Sequence, residues 1–290
     1  MTSVETLDPA PVTALQALLD TGAPTVATGD PLPPMWQWVA LPRWPASSVL
    51  GPDGHPRPGD FLPRLNGLPR RMFAGGETLF YGTLRVGADV VRESVVDSVE
   101  EKVGRSGRFA IVRVSTTLSE PRGPVLLRER QDILYRPPAT VPDPATLPDP
   151  VPPAARPLVG PPLVRKGEGW TFVTDPTLLM RFSAATANAH RIHYDWPYAT
   201  RVEGYPGLVV HGPLSTLVLA EALRLTAPDR TAASLRHRNN APLFCGSEGH
   251  VSVTIASDSA EATLRGGDGT LLTHLSVGFV PRLPKGAAHA

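Results

Sequence analysis

Three histidines, His190, His193 and His211, fall within 22 residues of a 290-residue chain that holds eight histidines in all. Histidine is the side chain whose ordinary pKa lets it both give and take a proton near neutrality. The last of the three opens the string His-Gly-Pro-Leu, directly ahead of a helical pattern. A helix N-terminus carries unpaired N–H groups and the positive end of the helix dipole, so it favours negative charge. These residues suggest proton transfer beside a place where negative charge can develop.

The elements that must hold them are legible on either side. Residues 177–189 suggest a short helix, and a polar loop containing Pro and Gly runs from there to Gly212. Pro213, a residue favoured in a first helical turn, begins a run with Leu214, Leu217 and Val218 on one face. Pro228 and Asp229 end it. The runs ASLRHRN, HVSVTIASD, EATLRGG and TLLTHLSVGFV then read as strands, with Gly-Gly-Asp-Gly at 266–269 as a hairpin turn.

The first half repeats this order. Helical spacing starts at about Val12 and continues through Leu15, Leu18 and Leu19. Trp36, Trp38 and Trp44 lie among prolines, which predicts a packed irregular element. From Glu77 to Arg136, the runs FYGTLRVGADV, VRESVVDSVEEKVG, FAIVRVSTTLSE and VLLRERQDILY predict an antiparallel meander. Residues 137–162 contain 11 prolines in 26 positions and predict an extended, semi-rigid linker, because proline has no N–H and a fixed φ. The expected organisation is two α+β domains, 1–136 and 163–290, joined by that linker.

Composition excludes several functions. A net charge of +1 gives no electrostatic case for nucleic acid or an acidic membrane surface. There is no apolar stretch long enough to span a bilayer, and the N-terminus lacks the basic start and apolar run of a signal peptide. The single cysteine, Cys245, forbids an intrachain disulfide and reads as an inert core residue. The expectation is a cytoplasmic, soluble protein with no nucleic-acid or membrane partner. No P-loop is present, so nucleotide-dependent chemistry has no support.

The site segment resembles the MaoC-like hydratases and dehydratases. Their active segment reads S-G-D-x-N-P-x-H, and here the register is Thr186-Ala-Asn-Ala-His-Arg-Ile-His193. GLVVHGPL resembles the family's I-x-H-G-x-L, and PLFCGS its P-x-F-x-G-D. The N-x-H-R-I-H-Y-D string is more similar to a double-hotdog subgroup that includes mesaconyl-C4-CoA and itaconyl-CoA hydratases and the type 2 hydroxyacyl-thioester dehydratases. That subgroup often carries R-R-M-[WF]-A-G-G in its N-terminal half, seen here as Arg70 to Gly76. The resemblance covers roughly residues 30–136 and 163–282. It implies a double hotdog: two helices, each wrapped by a curved antiparallel sheet, with catalysis in the C-terminal half and an acyl tunnel shaped by the N-terminal one.

The resemblance also implies the reaction, addition of water to a 2-enoyl thioester or its reversal. Such a reaction needs a base for water, a proton donor for the α-carbon and N–H donors to the thioester oxygen. His193 matches the family's catalytic histidine. Asn188 stands where the family has aspartate, and an amide is no base. Asn188 is therefore expected to orient water or substrate, with His193 making both transfers or His190 or Asp195 assisting. The backbone N–H of Gly212 is the candidate donor to the thioester oxygen, and His211 is expected to shape the site. His190, Arg191, Tyr194, Asp195, Tyr205, Arg70, Arg71, Arg236 and Arg238 are the candidate substrate-binding residues. Of these, Tyr194 and Asp195 are expected to fix the loop. Arg70 and Arg71 could hold a carboxylate or a CoA phosphate, or lie on an ordinary solvated loop; Arg236 and Arg238 could reach a CoA phosphate or form surface salt bridges. The substrate is expected on CoA or on a carrier protein's phosphopantetheine, with no other cofactor and no metal. The assembly expected is a monomer or a homodimer.

Three rival readings stay open. His190, His193 and His211 could supply three nitrogens to zinc. Glu221, in the run after Pro213, could serve a hotdog thioesterase. Loss of the aspartate could also mark a non-catalytic hotdog that only binds acyl thioesters.

Overall fold

The computed structural model describes residues 2–104, 107–141 and 157–281. The N-terminal half contains β1 (Thr2–Thr6), α1 (Pro9–Leu19), α2 (Gln37–Ala40), β2 (Arg70–Phe80), β3 (Asp89–Gly104), β4 (Gly107–Ser119) and β5 (Val125–Arg136). The C-terminal half contains β6 (Leu163–Lys166), β7 (Gly169–Phe172), α3 (Pro176–Ala185), α4 (Gly212–Thr226), β8 (Ala232–Asn239), β9 (Gly249–Ile255), β10 (Ser259–Gly266) and β11 (Leu271–Phe279). Local chemistry sets the helix starts. Asp8 accepts from Ala10 N–H and Asp175 from Leu178 N–H, with Pro9 and Pro176 entering the first turns behind them.

The strands form one antiparallel sheet of 11 strands in the order β1-β3-β4-β5-β2-β8-β11-β10-β9-β7-β6. The halves meet where β2 pairs with β8, in the register Gly76 to His237 and Thr78 to Leu235. The C-terminal part of the sheet packs on α4, which is buried without a break from Leu214 to Leu223. A helix buried on all sides belongs inside a protein, and α4 is the axis of this half. In the N-terminal half, α1 is shorter and packs on α2 and α3, burying Val12, Leu15, Leu18 and Leu19.

Three expectations change. The run FYGTLRVGADV is not a strand: residues 81–88 connect β2 to β3, and Leu84 and Val86 are buried from a loop. The strand lies earlier, in the segment beginning at Arg70, where the glycines hid it. They are glycines because neighbouring chains come too close for a side chain. A Cβ at Gly75 would lie 2.5 Å from the His237 carbonyl oxygen, and one at Gly76 2.2 Å from that of Arg130. The loop reading of Arg70 and Arg71 therefore fails. The short strands β6 and β7 were also missed, each being four residues long and next to Pro or Gly. Residues 142–156 of the proline-rich linker lie outside the described residues, and 137–141 and 157–162 belong to no helix or strand.

Candidate active site

The segment between α3 and α4 is held in place by its own backbone. Ala187 turns the chain with φ +52°, and Asn188 N–H then donates to Ser183 O at 2.9 Å. The Asn188 side-chain oxygen accepts from His190 N–H at 3.1 Å. Its NH₂ and the second lone pair of its oxygen are left for a ligand. A single 3₁₀ turn, Arg191–His193, follows. Val209 N–H donates to Ile192 O at 3.0 Å, and His193 Nδ1 lies 2.7 Å from Val209 O. A carbonyl only accepts, so Nδ1 carries the proton and Nε2 presents a lone pair.

The three histidines occupy different positions. His193 and His211 stack face to face, with ring centroids 3.6 Å apart. His211 is fully buried, and its Nε2 shares a hydrogen bond of 2.8 Å with Ser183 Oγ. His190 meets the edge of His193 at 5.6 Å and lies against His55 at 4.0 Å. Burial brings His193 down to about 3 and His190 to about 2, and pushes His211 well below the usual range. All three are neutral at pH 7, the state a base requires. Stacked rings point their nitrogens along parallel planes, so His193 and His211 do not converge on one ion, and the zinc set read from the sequence is not assembled. The described donor atoms that crowd together are instead those of Asp53, His55 and His190, within 4.8 Å of one another. Arg71, 3.3 Å from the Asp53 carboxylate, already puts a positive charge there.

A cavity of about 500 Å³ lies over His193. Its wall includes Asn188, His190, His193, Gly212, Tyr205 and Arg71, so six of the residues picked from the sequence come together. The N-terminal half contributes Met72, Phe73, Gln131 and Ile133 among others. Phe73, Gln131, Asn188 and Pro213 separate it from a second cavity of about 330 Å³ under the N-terminal sheet, where Glu129 and Arg92 are found. As the first residue of α4, Gly212 has an N–H with no acceptor within the helix.

The remaining candidates lie elsewhere. Arg191 pairs with Asp195 at 2.8 Å, donates to Pro52 O and covers the Tyr198 ring. Asp195 also accepts from Tyr198 N–H, and Tyr194 donates to Ala189 O, so all three tie the loop together. Arg70 is held by Glu203 at 2.5 Å. Arg236 is an exposed partner of Glu77, the salt bridge that competed with a phosphate contact, and Arg238 is exposed on the same strand face. Neither lines the cavity. Glu221, the thioesterase candidate, is buried outside it in a pair with Arg224 and also accepts from Thr21.

Sequence reading missed Asp53, His55 and Asn239. The first two sit in a loop, GPDGHPRPGD, with no periodicity to mark it. The loop docks through Arg191 N–H donating to Asp53 O at 2.9 Å, and His55 reaches the cavity wall. Asn239, at the end of β8, accepts from Thr273 and keeps an unpartnered amide nitrogen against Gly212. Gly54 makes the docking possible, because it has φ +90° and a Cβ there would stand 1.8 Å from Ala189 O. Gly54→Ala is expected to push the loop off the site and lower kcat/KM about 100-fold, the scale of a 1 Å misplacement. Tm should fall by a few degrees with it, since overpacking costs about 1–3 kcal/mol. Gly267→Ala, where a Cβ meets nothing within 4 Å, is the control. Equal kinetics for the two variants would contradict the docking argument.

An antiparallel sheet packed on the buried helix α4, joined edge to edge to a second antiparallel half-sheet, with a histidine-lined cavity at the start of that helix, defines a double-hotdog protein. Residues 35–245 match the model of the type 2 hydroxyacyl-thioester dehydratases. The chain belongs to that family, whose reaction is the reversible hydration and dehydration of an acyl thioester. It is 45% identical over 224 residues to mesaconyl-C(4)-CoA hydratase of Chloroflexus aurantiacus, covering 77% of this chain and 74% of the relative. A MaoC-like dehydratase structure superposes with a TM-score of 0.65 at 12% identity, over 98% of this chain and 97% of the other. A Mycobacterium tuberculosis protein described as a double hotdog superposes at 0.54 with 15% identity, over 97% and 95%. At those identities the structures speak for the fold alone. No described helix is long and apolar enough to cross a membrane.

Proposed function

We propose that this chain adds water to a short 2-enoyl-CoA, and removes it again, with His193 as the acid and base. His193 Nε2 takes a proton from water while the water oxygen bonds to the β-carbon. The π electrons move to the thioester oxygen, where Gly212 N–H receives the developing charge, with the Asn239 amide beside it. The imidazolium of His193 then returns the same proton to the α-carbon. The sum is one water added, with no change in oxidation state, so no cofactor is required beyond the substrate's own CoA or phosphopantetheine arm. Asn188, through its free NH₂, orients the water or the substrate.

The observation that carries this reading is the His193–Val209 hydrogen bond. It fixes the tautomer and leaves Nε2 as the lone-pair nitrogen of a ring on the cavity wall, which Gly212 at the start of α4 also lines. Electrostatic donors of the Gly212 kind contribute about 100- to 1,000-fold in such reactions. The name of the Chloroflexus relative favours a short, branched, dicarboxylic acyl group. The N-terminal half supplies cavity wall, His55 included.

The test is a panel of 2-enoyl-CoAs, straight, branched and carboxylated, followed by loss of the conjugated thioester absorbance. At least one short member should be hydrated. Hydration of none, with acyl-CoA still bound, would leave a binding protein instead.

A further inference from the structure

We propose that Phe73 is the end wall of the acyl site: its ring closes the main cavity against the second one and so limits the length of chain that can be hydrated. The inference rests on the hydration reading above. It gives a purpose to the string Arg70 to Gly76, most of which that reading does not use.

The wall begins with a bulge in β2. Where β2 pairs with β5, Phe73 stands opposite Ile133 and Gly75 opposite Asp132, so Ala74 is an extra residue. A bulge bends its strand and re-aims the side chains beside it. Gly75 and Gly76 let the bent strand lie against His237 and Arg130, where a Cβ would meet their carbonyl oxygens. The side chain aimed by this bulge is Phe73, which lines both cavities.

Packing fixes the ring in place. Trp38 meets it edge-on with ring centroids 5.5 Å apart, and His237 stacks on it at 5.2 Å. Trp38 is itself held, its Nε1 donating to the buried carboxyl group of Glu129. Phe73 Cδ1 lies 3.3 Å from the place a Cβ on Gly212 would take, so the ring reaches the start of α4. In the proposed reaction the thioester oxygen sits at Gly212 N–H, and the acyl chain therefore starts beside this ring. A chain that extends toward the N-terminal sheet runs into Phe73, with about 330 Å³ of space behind it. Gln131, Asn188 and Pro213 are the other residues common to both linings, and Phe73 has the largest side chain of the four.

The experiment compares crotonyl-CoA with trans-2-octenoyl-CoA, which is four carbons longer. Wild type should favour crotonyl-CoA in kcat/KM. In Phe73→Ala the octenoyl-to-crotonyl ratio should rise at least about tenfold, because each methylene taken out of water contributes about fourfold. A smaller rise overturns the wall. Val114→Phe, which fills the second cavity from β4, should cancel the gain when added to Phe73→Ala. A gain that survives it also overturns the proposal, since the chain would then be lodged elsewhere. A further measurement needs no variant and so does not depend on how Phe73→Ala folds. Octanoyl-CoA should inhibit wild type no more than threefold more tightly than butyryl-CoA, and tighter inhibition than that overturns the wall. Failure of wild type to hydrate any enoyl-CoA counts against the hydratase reading, whereas hydration with an unmoved ratio in Phe73→Ala counts against the wall alone.

Discussion

His193→Ala is expected to lower kcat/KM for enoyl-CoA hydration by about 1,000-fold or more while the protein stays folded and still binds acyl-CoA. General acid–base catalysis contributes about 100- to 10,000-fold. In the proposed reaction one ring makes both proton transfers, which puts the loss at the upper end. Two features of the structure support a loss of this size. The acceptor Val209 O leaves Nε2 as the basic nitrogen, and burial keeps the ring neutral, down to about 3, at any pH near 7. Asn188 cannot take over, because its oxygen is held by His190 N–H and an amide has no useful basicity. His193→Gln keeps a donor for Val209 and loses the base, so it should be nearly as inactive as alanine with a smaller change in Tm. Steady-state kinetics, with acyl-CoA binding measured separately, decide the matter. Hydration within threefold of wild type in both variants would remove His193 from the reaction.

Acid should unfold this protein early, beginning near pH 6.5. Four histidines among the described residues are buried and neutral: His190, His193, His211 and His237. Burial is the largest cause in each, and it brings His237 down to about 4. In the unfolded chain each takes up a proton near pH 6.5, whereas the folded form takes it only near its own lowered pKa. Their stabilisation is therefore complete above about pH 6.5. It is lost as pH falls from there, until about 4 for His237, 3 for His193 and 2 for His190. Each ring contributes about 1.4 kcal/mol per pH unit inside that window, so the slope is steep against a typical stability of about 5–15 kcal/mol. Urea midpoints measured from pH 8 to pH 4.5 give the slope as protons taken up on unfolding, and several are expected at pH 5. His237 offers a clean check. It lies outside the main cavity, stacked on Phe73, with both ring nitrogens unpartnered. His237→Leu should reduce the slope by about one proton. A stability that is flat from pH 8 to pH 5 would contradict this account.

Much of the C-terminal half was legible because local rules decided it. Pro176 and Pro213 start helices, Asp175 caps one, and the turn at 266–269 closes the β10–β11 hairpin. The segment from Asn188 to Gly212 was legible in part for the same reason: several of its hydrogen bonds run within it, as from His193 to Val209. The sequence by itself therefore determined the α+β order of the two halves and the segment that lines the cavity. It also determined that position 188 holds no carboxylate.

Tertiary structure decided what depends on distant chain approaching this segment. β2 was hidden because its glycines answer to Arg130 and His237, which stand 54 and 161 residues after Gly76. His55 and Asp53 were hidden because Gly54 lets their loop lie on Ala189, a contact without local pattern. The surroundings of the three histidines, a ring on the cavity wall with Nε2 free, a buried support and a ring against His55, came from the tertiary structure, because they depend on what each ring stacks on and which nitrogen has an acceptor. Spacing along a chain carries neither piece of information.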